Sequence, residues 1–192
     1  MFDGILTPAF LQAACAHQQS QNVIRLHVGD MLDYAPNFDL SYSGLVTITY
    51  VSDGETYTTT VDEVPFIIVG EPDADTFITI KGDVSRLSLS APSNGAIDAI
   101  YTAGAKALLS LTTNSGCKEL QLSKYLTYLK VNGTAVTKIT YPANNNAVST
   151  TIADAITNAN ANNGTVHTNA DGTYYDKIAQ AATAKGWTIE QL

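Results

Sequence analysis

Positive charge is scarce in this chain. Ten lysines and arginines stand against eighteen aspartates and glutamates over 192 residues, a net charge of −8. The basic residues are scattered, and without a Lys/Arg cluster a nucleic-acid surface is not expected. Long apolar runs are missing too. No stretch approaches the length that spans a bilayer, and the N-terminus MFDGILTPAFLQAACAHQQSQ lacks a basic start. Neither a membrane helix nor a signal peptide is therefore expected. The chain should be made and kept in a cytoplasm, or exported by a route its sequence does not encode. Cysteine is limited to Cys15 and Cys117. These form either one bridge or two free thiols, and without a secretion signal free thiols are favoured. Catalytic signatures are also lacking: no phosphate loop, dinucleotide fingerprint, paired-cysteine motif or His-Glu-x-x-His occurs. No cofactor, metal or enzymatic activity is expected.

What the chain has is hydrophobic residues, 45% of the total, with only 15% charged. That is enough for one large or two small cores. Much of the surface must be neutral and polar, built from Thr, Asn and Ser. The organising stretch runs from Phe77 to Tyr141. Short apolar–polar–apolar triplets recur there: Leu87-Ser88-Leu89, Leu109-Ser110-Leu111, Leu120-Gln121-Leu122, Leu129-Lys130-Val131 and Ile139-Thr140-Tyr141. In a strand each triplet points two side chains one way. Leu87, Leu109 and Leu129 step by 22 and 20 residues, and Leu120 and Ile139 interleave with a step of 19. A period of about twenty residues lies in the leucine-rich-repeat range. The reading is a short solenoid with strands on both walls, cored by Leu87, Leu89, Leu109, Leu111, Leu120, Leu122, Leu129, Val131 and Ile139. Leu109→Asp or Leu129→Asp should then unfold it.

Around that stretch, residues 1–22 read as a helical arm. Thr7 caps it, Pro8 opens it, and Phe10, Leu11, Ala14 and Cys15 form an apolar stripe. Residues 23–76 read as a small β-sandwich-like domain. Val23 to Val28 alternates, Met31 to Gly44 is irregular, and Leu45 to Val51 returns through the Asp53-Gly54 turn to Thr56 to Asp62. Phe66 to Val69 reads as a buried strand. Residues 77–141 are the solenoid, with Ala96 to Ala107 either a short helix or a wide return. Residues 142–192 read as an α/β cap. Val148, Ile152, Ala155, Ile156 and Ala159 line one helix, and Tyr175, Ile178, Ala179 and Ala182 a second. Thr165 to Thr168 and Trp187 to Ile189 are short strands. The fold class is α+β, mainly β.

Few residues invite chemistry. Glu71, Asp73 and Asp75 alternate in a loop and could approach calcium, but a solvated turn accounts for them. His17, His27 and His167 are far apart in sequence. Asn132-Gly133-Thr134 and Asn163-Gly164-Thr165 match the glycosylation pattern and read as turns. Tyrosine is frequent, with ten residues. Phe10, Leu11, Tyr125, Tyr128 and Tyr141 are candidate interface residues, since aromatics near strands serve either cores or contact faces.

The segment CKELQLSKYLTYLKVNGTAVTKITYPA resembles the irregular leucine-rich repeats of proteins from Bacteroidetes and their phages, a likeness covering roughly residues 80–192. The asparagine or cysteine ladder of such repeats is seen only at Cys117 and Asn132. The ending IAQAATAKGWTIE is similar to the segment that follows these repeats in phage virion and Bacteroidetes surface proteins. The resemblance implies a non-enzymatic structural component of a tailed-phage virion: a capsid-decorating, head-fibre or tail-associated subunit. Its partners would be other virion proteins and further copies of itself, with a host surface receptor as another candidate and no nucleic acid or membrane. The alternative is a bacterial binding module that recognises a surface protein or glycan. A hydrolase using Asp73, Asp75 or His167 is a third class.

Overall fold

The structure, a computed structural model, describes residues 22–30, 35–62, 64, 66–68 and 70–192. The expected helical arm, with Phe10, Leu11, Cys15 and His17, lies outside the described residues. The described chain is a mainly-β fold, a mixed sheet with two helices. Twelve strands follow in order: β1 Val23–Val28, β2 Asn37–Ser52, β3 Glu55–Thr60, β4 Phe66–Ile67, β5 Thr76–Ser88, β6 Ile97–Tyr101, β7 Ser110–Thr112, β8 Glu119–Gln121, β9 Tyr128–Lys130, β10 Lys138–Tyr141, β11 Thr165–Thr168 and β12 Thr188–Gln191. The helices are α1, Asn146–Asn158, and α2, Gly172–Lys185.

Sequence alternation builds the antiparallel part. β1 pairs with β5 and β6, and β2 pairs with β3 and β5. Asp53 and Gly54 both have positive φ, 52° and 75°. That is the turn geometry that matches strand twist in a two-residue hairpin. β2 and β5 are long because each bends midway. Gly82 has φ 133°, and a Cβ there would meet the Leu45 carbonyl and Val46, so the two backbones cross at a point where only glycine fits. The pairing of β2 with β5 slips its register between Ser43 and Thr47 at this bend.

The expected irregular stretch from Met31 to Gly44 is therefore strand from Asn37 onward. The inward positions keep one parity along the strand, Phe38 and Leu40 before the bend and Val46 and Ile48 after it, and only the polar and glycine residues from Ser41 to Gly44 thin the apolar series between them. A separate sandwich at 23–76 is not formed. β1, β2 and β3 join the same sheet as the later strands, and the 76/77 boundary falls inside β5. The buried strand expected over Phe66 to Val69 is a two-residue bridge at Phe66–Ile67, and Ile67 faces solvent.

Beyond β5 the strands pair in parallel along two ladders. β5, β7 and β9 form one, with Leu87, Leu111 and Leu129 in register. β6, β8, β10, β11 and β12 form the other, with Ile100, Leu120, Ile139, Val166 and Ile189 in register. Leu26 of β1 adds to that second row opposite Ile100. The rows point into one continuous core, and each fully buried leucine contributes about 1.5–3 kcal/mol. After β9 the helices take over on the first ladder's side: α1 lies against β9 and α2 against α1.

α1 begins at Asn145, whose side chain accepts hydrogen bonds from the Ala147 and Val148 amides. Its five apolar residues named above are all buried. α2 ends at Gly186 in the left-handed region, with the Trp187 amide donating to the Ala182 carbonyl. Ala96 to Ala107 is neither helix nor wide return: Ile97–Tyr101 is β6, and the chain then turns.

The leucine frame differs from the expectation at one point. Leu109 is not in the core. Its amide donates to the Ser85 carbonyl and its side chain points outward before β7 begins, so Leu111 fills the place between Leu87 and Leu129. The run Leu108-Leu109-Ser110-Leu111 offers two alternation frames, and the buried pair is Leu108 and Leu111. Val131 is only partly buried, while Leu87, Leu89, Leu111, Leu120, Leu122, Leu129 and Ile139 are buried.

Candidate interaction surfaces

Side chains that leave the core from the two ladders make two different outer faces. On the short ladder, Tyr128 alternates outward while Leu129 points in. The Leu109 carbonyl accepts the amides of Thr127 and Tyr128, which seats Leu109 beside the start of β9. Tyr125 lies in the preceding turn, with the Lys124 ammonium 5.2 Å from its ring centre. Leu109, Tyr125 and Tyr128 are 47%, 39% and 51% exposed. In the same turn Leu126 is buried and its amide donates to the Ser123 carbonyl.

The long sheet's outer face carries a mixed aromatic and charged platform. The Arg25 guanidinium lies 3.9 Å from the Phe77 ring centre, His27 meets Phe77 edge-on at 5.0 Å, and Tyr101 lies 6.1 Å from Phe77. His27 Nδ1 and Asp98 Oδ1 are 2.7 Å apart, and Lys118 Nζ is 3.7 Å from the other Asp98 oxygen. Further along, Lys138 pairs with Glu119 at 2.9 Å and His167 with Glu190 at 3.2 Å. The Glu119 carboxylate raises the Lys138 pKa by hydrogen bonding and by charge. Partial burial raises that of the Tyr101 phenol, with Glu119 adding to it.

The residues singled out for chemistry do not converge. His27 on β1 and His167 on β11 are separated by β6, β8 and β10, about 19 Å at the usual strand spacing. Asp73 lies by the β2–β3 turn beside a groove of about 490 Å³. There its carboxylate accepts the amides of Asp53 and Gly54, both at 2.9 Å, so it holds the hairpin turn. Among the described residues no group of three or more His, Cys, Asp or Glu is arranged to hold a metal. Cys117 is buried and free, its thiol pushed up to about 12 by burial.

Of the candidate interface residues, Tyr125 and Tyr128 are exposed, and Phe10 and Leu11 lie outside the described residues. Tyr141 is a correction: it is fully buried. It is the last residue of β10, two after Ile139 and on the same inward face, paired with Thr168 of β11. Burial pushes its phenol up to about 12.

An internal polar ladder includes Asn132, which the sequence offered, and Asn94 and Asn114, which it did not single out. The Asn94 amide donates to the Asn37 carbonyl at 2.7 Å, Asn114 to the carbonyls of Asn94 and Ile97 at 2.8 and 2.7 Å, and Asn132 to the Thr113 carbonyl at 2.6 Å. Asn94 and Asn114 are buried: Asn94 ties its turn to the first residue of β2, and Asn114 ties its own to the turn before β6 and to the first residue of β6. Their spacing of 20 and 18 residues was the available signal. Comparison with protein-family models, curated proteins and solved structures gives no match to the chain.

Proposed function

We propose that this protein is a non-enzymatic scaffold that works by holding other proteins, as a structural subunit of a tailed-phage particle does. The observation that carries the reading is the pair of parallel ladders, Leu87–Leu111–Leu129 and Ile100–Leu120–Ile139–Val166–Ile189. They support reading residues 77–141 as a short leucine-rich-repeat-like solenoid closed by the α/β segment that follows. The asparagine ladder at positions 94, 114 and 132 supports it further, since a repeat needs a fixed donor at each corner. Stacked coils make a stiff body with broad outer faces, suited to protein contacts. In this reading residues 1–22 and the first strands attach the subunit, and the coils project from the particle or bridge to a neighbour in an oligomer. The test is a mass-spectrometric inventory of particles purified by density from the source culture. A constant, stoichiometric amount across the particle band supports the reading. Recovery only from the cell lysate rejects it.

A second reading is favoured by the Arg25–Phe77–Tyr101 platform. A flat sheet face with aromatic rings and flanking polar groups suits a binding module for a surface protein or glycan. Retention on a glycan array, lost in Phe77→Ala, would support that reading over the first.

A further inference from the structure

β3 is the edge of the sheet. One side of it pairs with β2, and among the described residues no strand pairs with the other side. The register shows which backbone groups are left open. The two-residue turn at Asp53-Gly54 makes Ser52 and Glu55 a hydrogen-bonded pair, and the Val61 amide donates to the Val46 carbonyl at 2.9 Å in the same phase. Glu55, Tyr57 and Thr59 therefore bond to β2, while Thr56, Thr58 and Thr60 direct their amides and carbonyls away from it. The Thr49 and Thr58 hydroxyls, 2.9 Å apart, fit the closer spacing of a non-hydrogen-bonded pair. Exposed edges usually carry a lysine, a proline or a bulge that blocks further pairing. Glu55–Thr60 has none of these: its sequence is ETYTTT, and its register with β2 is unbroken.

A pocket of about 330 Å³ runs beside the same strand, lined by Tyr50, Tyr57, Phe66 and Ile67 among others. Tyr57 stacks on Tyr50 with ring centres 5.5 Å apart and is still 42% exposed, and Ile67 is 54% exposed. The apolar face of the core thus runs out to the margin of the sheet. Glu55 and Asp62 stand at the two ends of the strand, about 23 Å apart when extended. Both are exposed, and no ion pair among the described residues reaches either. The sequence has no lysine or arginine between Arg25 and Lys81.

We propose that β3 accepts an added strand from another protein: an extended segment with Lys or Arg at both ends and apolar side chains at alternate positions, one of which enters the Tyr57–Ile67 pocket. Three observations select this occupant. The open amides and carbonyls of Thr56, Thr58 and Thr60 require an extended backbone beside them. The pocket lies on one face only, so every second side chain of the added strand meets it. The acidic ends of β3 call for cations. A second copy fits the backbone, since β3 can pair antiparallel with itself about Thr58. It fails on charge, because Glu55 would then lie beside Asp62 of the copy at both ends of the pair. The inference does not depend on the particle reading.

The test sorts displayed random peptides of about nine residues, long enough to span the strand, on the fluorescent full chain. The expected enriched set alternates polar and apolar residues and carries Lys or Arg at both ends. No enrichment, or enrichment without that pattern, overturns the proposal. Synthetic peptides from the set are then titrated by fluorescence anisotropy against two variants. Thr58→Pro removes an amide that points away from β2, so the hairpin keeps its own bonds, and binding should weaken about tenfold. The pair Glu55→Lys, Asp62→Lys changes exposed positions and should turn the preference toward acid-ended peptides, with an unchanged circular dichroism spectrum. Unaltered affinity in Thr58→Pro overturns the proposal, and so does an unaltered preference in the charge-reversed pair. Analytical ultracentrifugation of the parent and of Thr58→Pro covers the other occupant: a parent dimer that the proline dissolves would make a second copy the added strand and overturn the proposal.

Discussion

Leu87 and Leu111 face each other across the parallel strands β5 and β7, and both are fully buried. Leu109, two residues earlier, is outside the row. The register rather than the leucine spacing therefore decides which substitution matters. Leu111→Ala should cost about 2–5 kcal/mol by opening a cavity. Leu109→Ala should stay within about 0.5 kcal/mol. Urea denaturation of the two variants checks the contrast, and equal losses would contradict the register.

Asn114 holds two corner carbonyls from inside the fold, those of Asn94 and Ile97. Asn114→Ala leaves both without a donor in a buried place. The expected loss is about 2–4 kcal/mol, more than the net worth of the bonds, because unpaired buried carbonyls carry a desolvation cost. Asn114→Leu is expected to be no better, since it also supplies no donor. A thermal melt of each variant measures this.

Tyr141 is buried with its hydroxyl lacking a hydrogen-bond partner. Tyr141→Phe removes that orphan and keeps the ring. The variant should be neutral or more stable by about 1 kcal/mol. A loss above that in chemical denaturation would mean the hydroxyl is satisfied.

Alkaline pH should weaken the fold. The Cys117 thiol, ordinarily near 9, and the Tyr141 phenol, ordinarily near 10, are both pushed up to about 12 by burial. Between those limits the unfolded chain has released protons that the folded chain still holds. Stability is therefore fully present below about pH 9 and falls as pH rises toward 12, with a slope of up to about 1.4 kcal/mol per pH unit per group. Urea midpoints between pH 8 and 11 should decline in the parent and decline less in Cys117→Ala, Tyr141→Phe.

Gly164 lies against the indole of Trp187, and a Cβ there would overlap the ring. The indole Nε1 donates to the Ala161 carbonyl at 2.9 Å, so the ring cannot swing away without losing that bond. Gly164→Ala should destabilise the C-terminal strand pair β11–β12 by about 1–3 kcal/mol. The chain's single tryptophan makes this visible: its emission should shift to the red. An unchanged spectrum and melting point would contradict the close approach.

The helices were legible because their signal is local. The stripe from Val148 to Ala159 repeats at helical spacing, and Asn145 supplies the cap from the adjoining residue. The Asp53-Gly54 hairpin was legible for the same reason. The first half of β2 was not, because Ser41, Ser43 and Gly44 interrupt its apolar series where it crosses β5, although Phe38 and Leu40 share the inward parity of Val46 and Ile48. Tyr128 was recognisable as a surface residue by type and alternation; Tyr141 was misassigned by type, although its alternation with Ile139 puts it on the inward face of β10.

By itself the sequence determined the two helices after Tyr141, the Asp53-Gly54 hairpin and most of the short strands from Phe77 onward, and that leucines recur about every twenty residues. Those properties depend on side chains within a few positions of each other. The tertiary structure decided that Leu111 rather than Leu109 completes the row, that β1 to β3 join the same sheet as the later strands, and that Asn94, Asn114 and Asn132 serve successive corners. Each of these depends on pairing between strands distant in the chain, and parallel pairing leaves no turn in the sequence to announce its register.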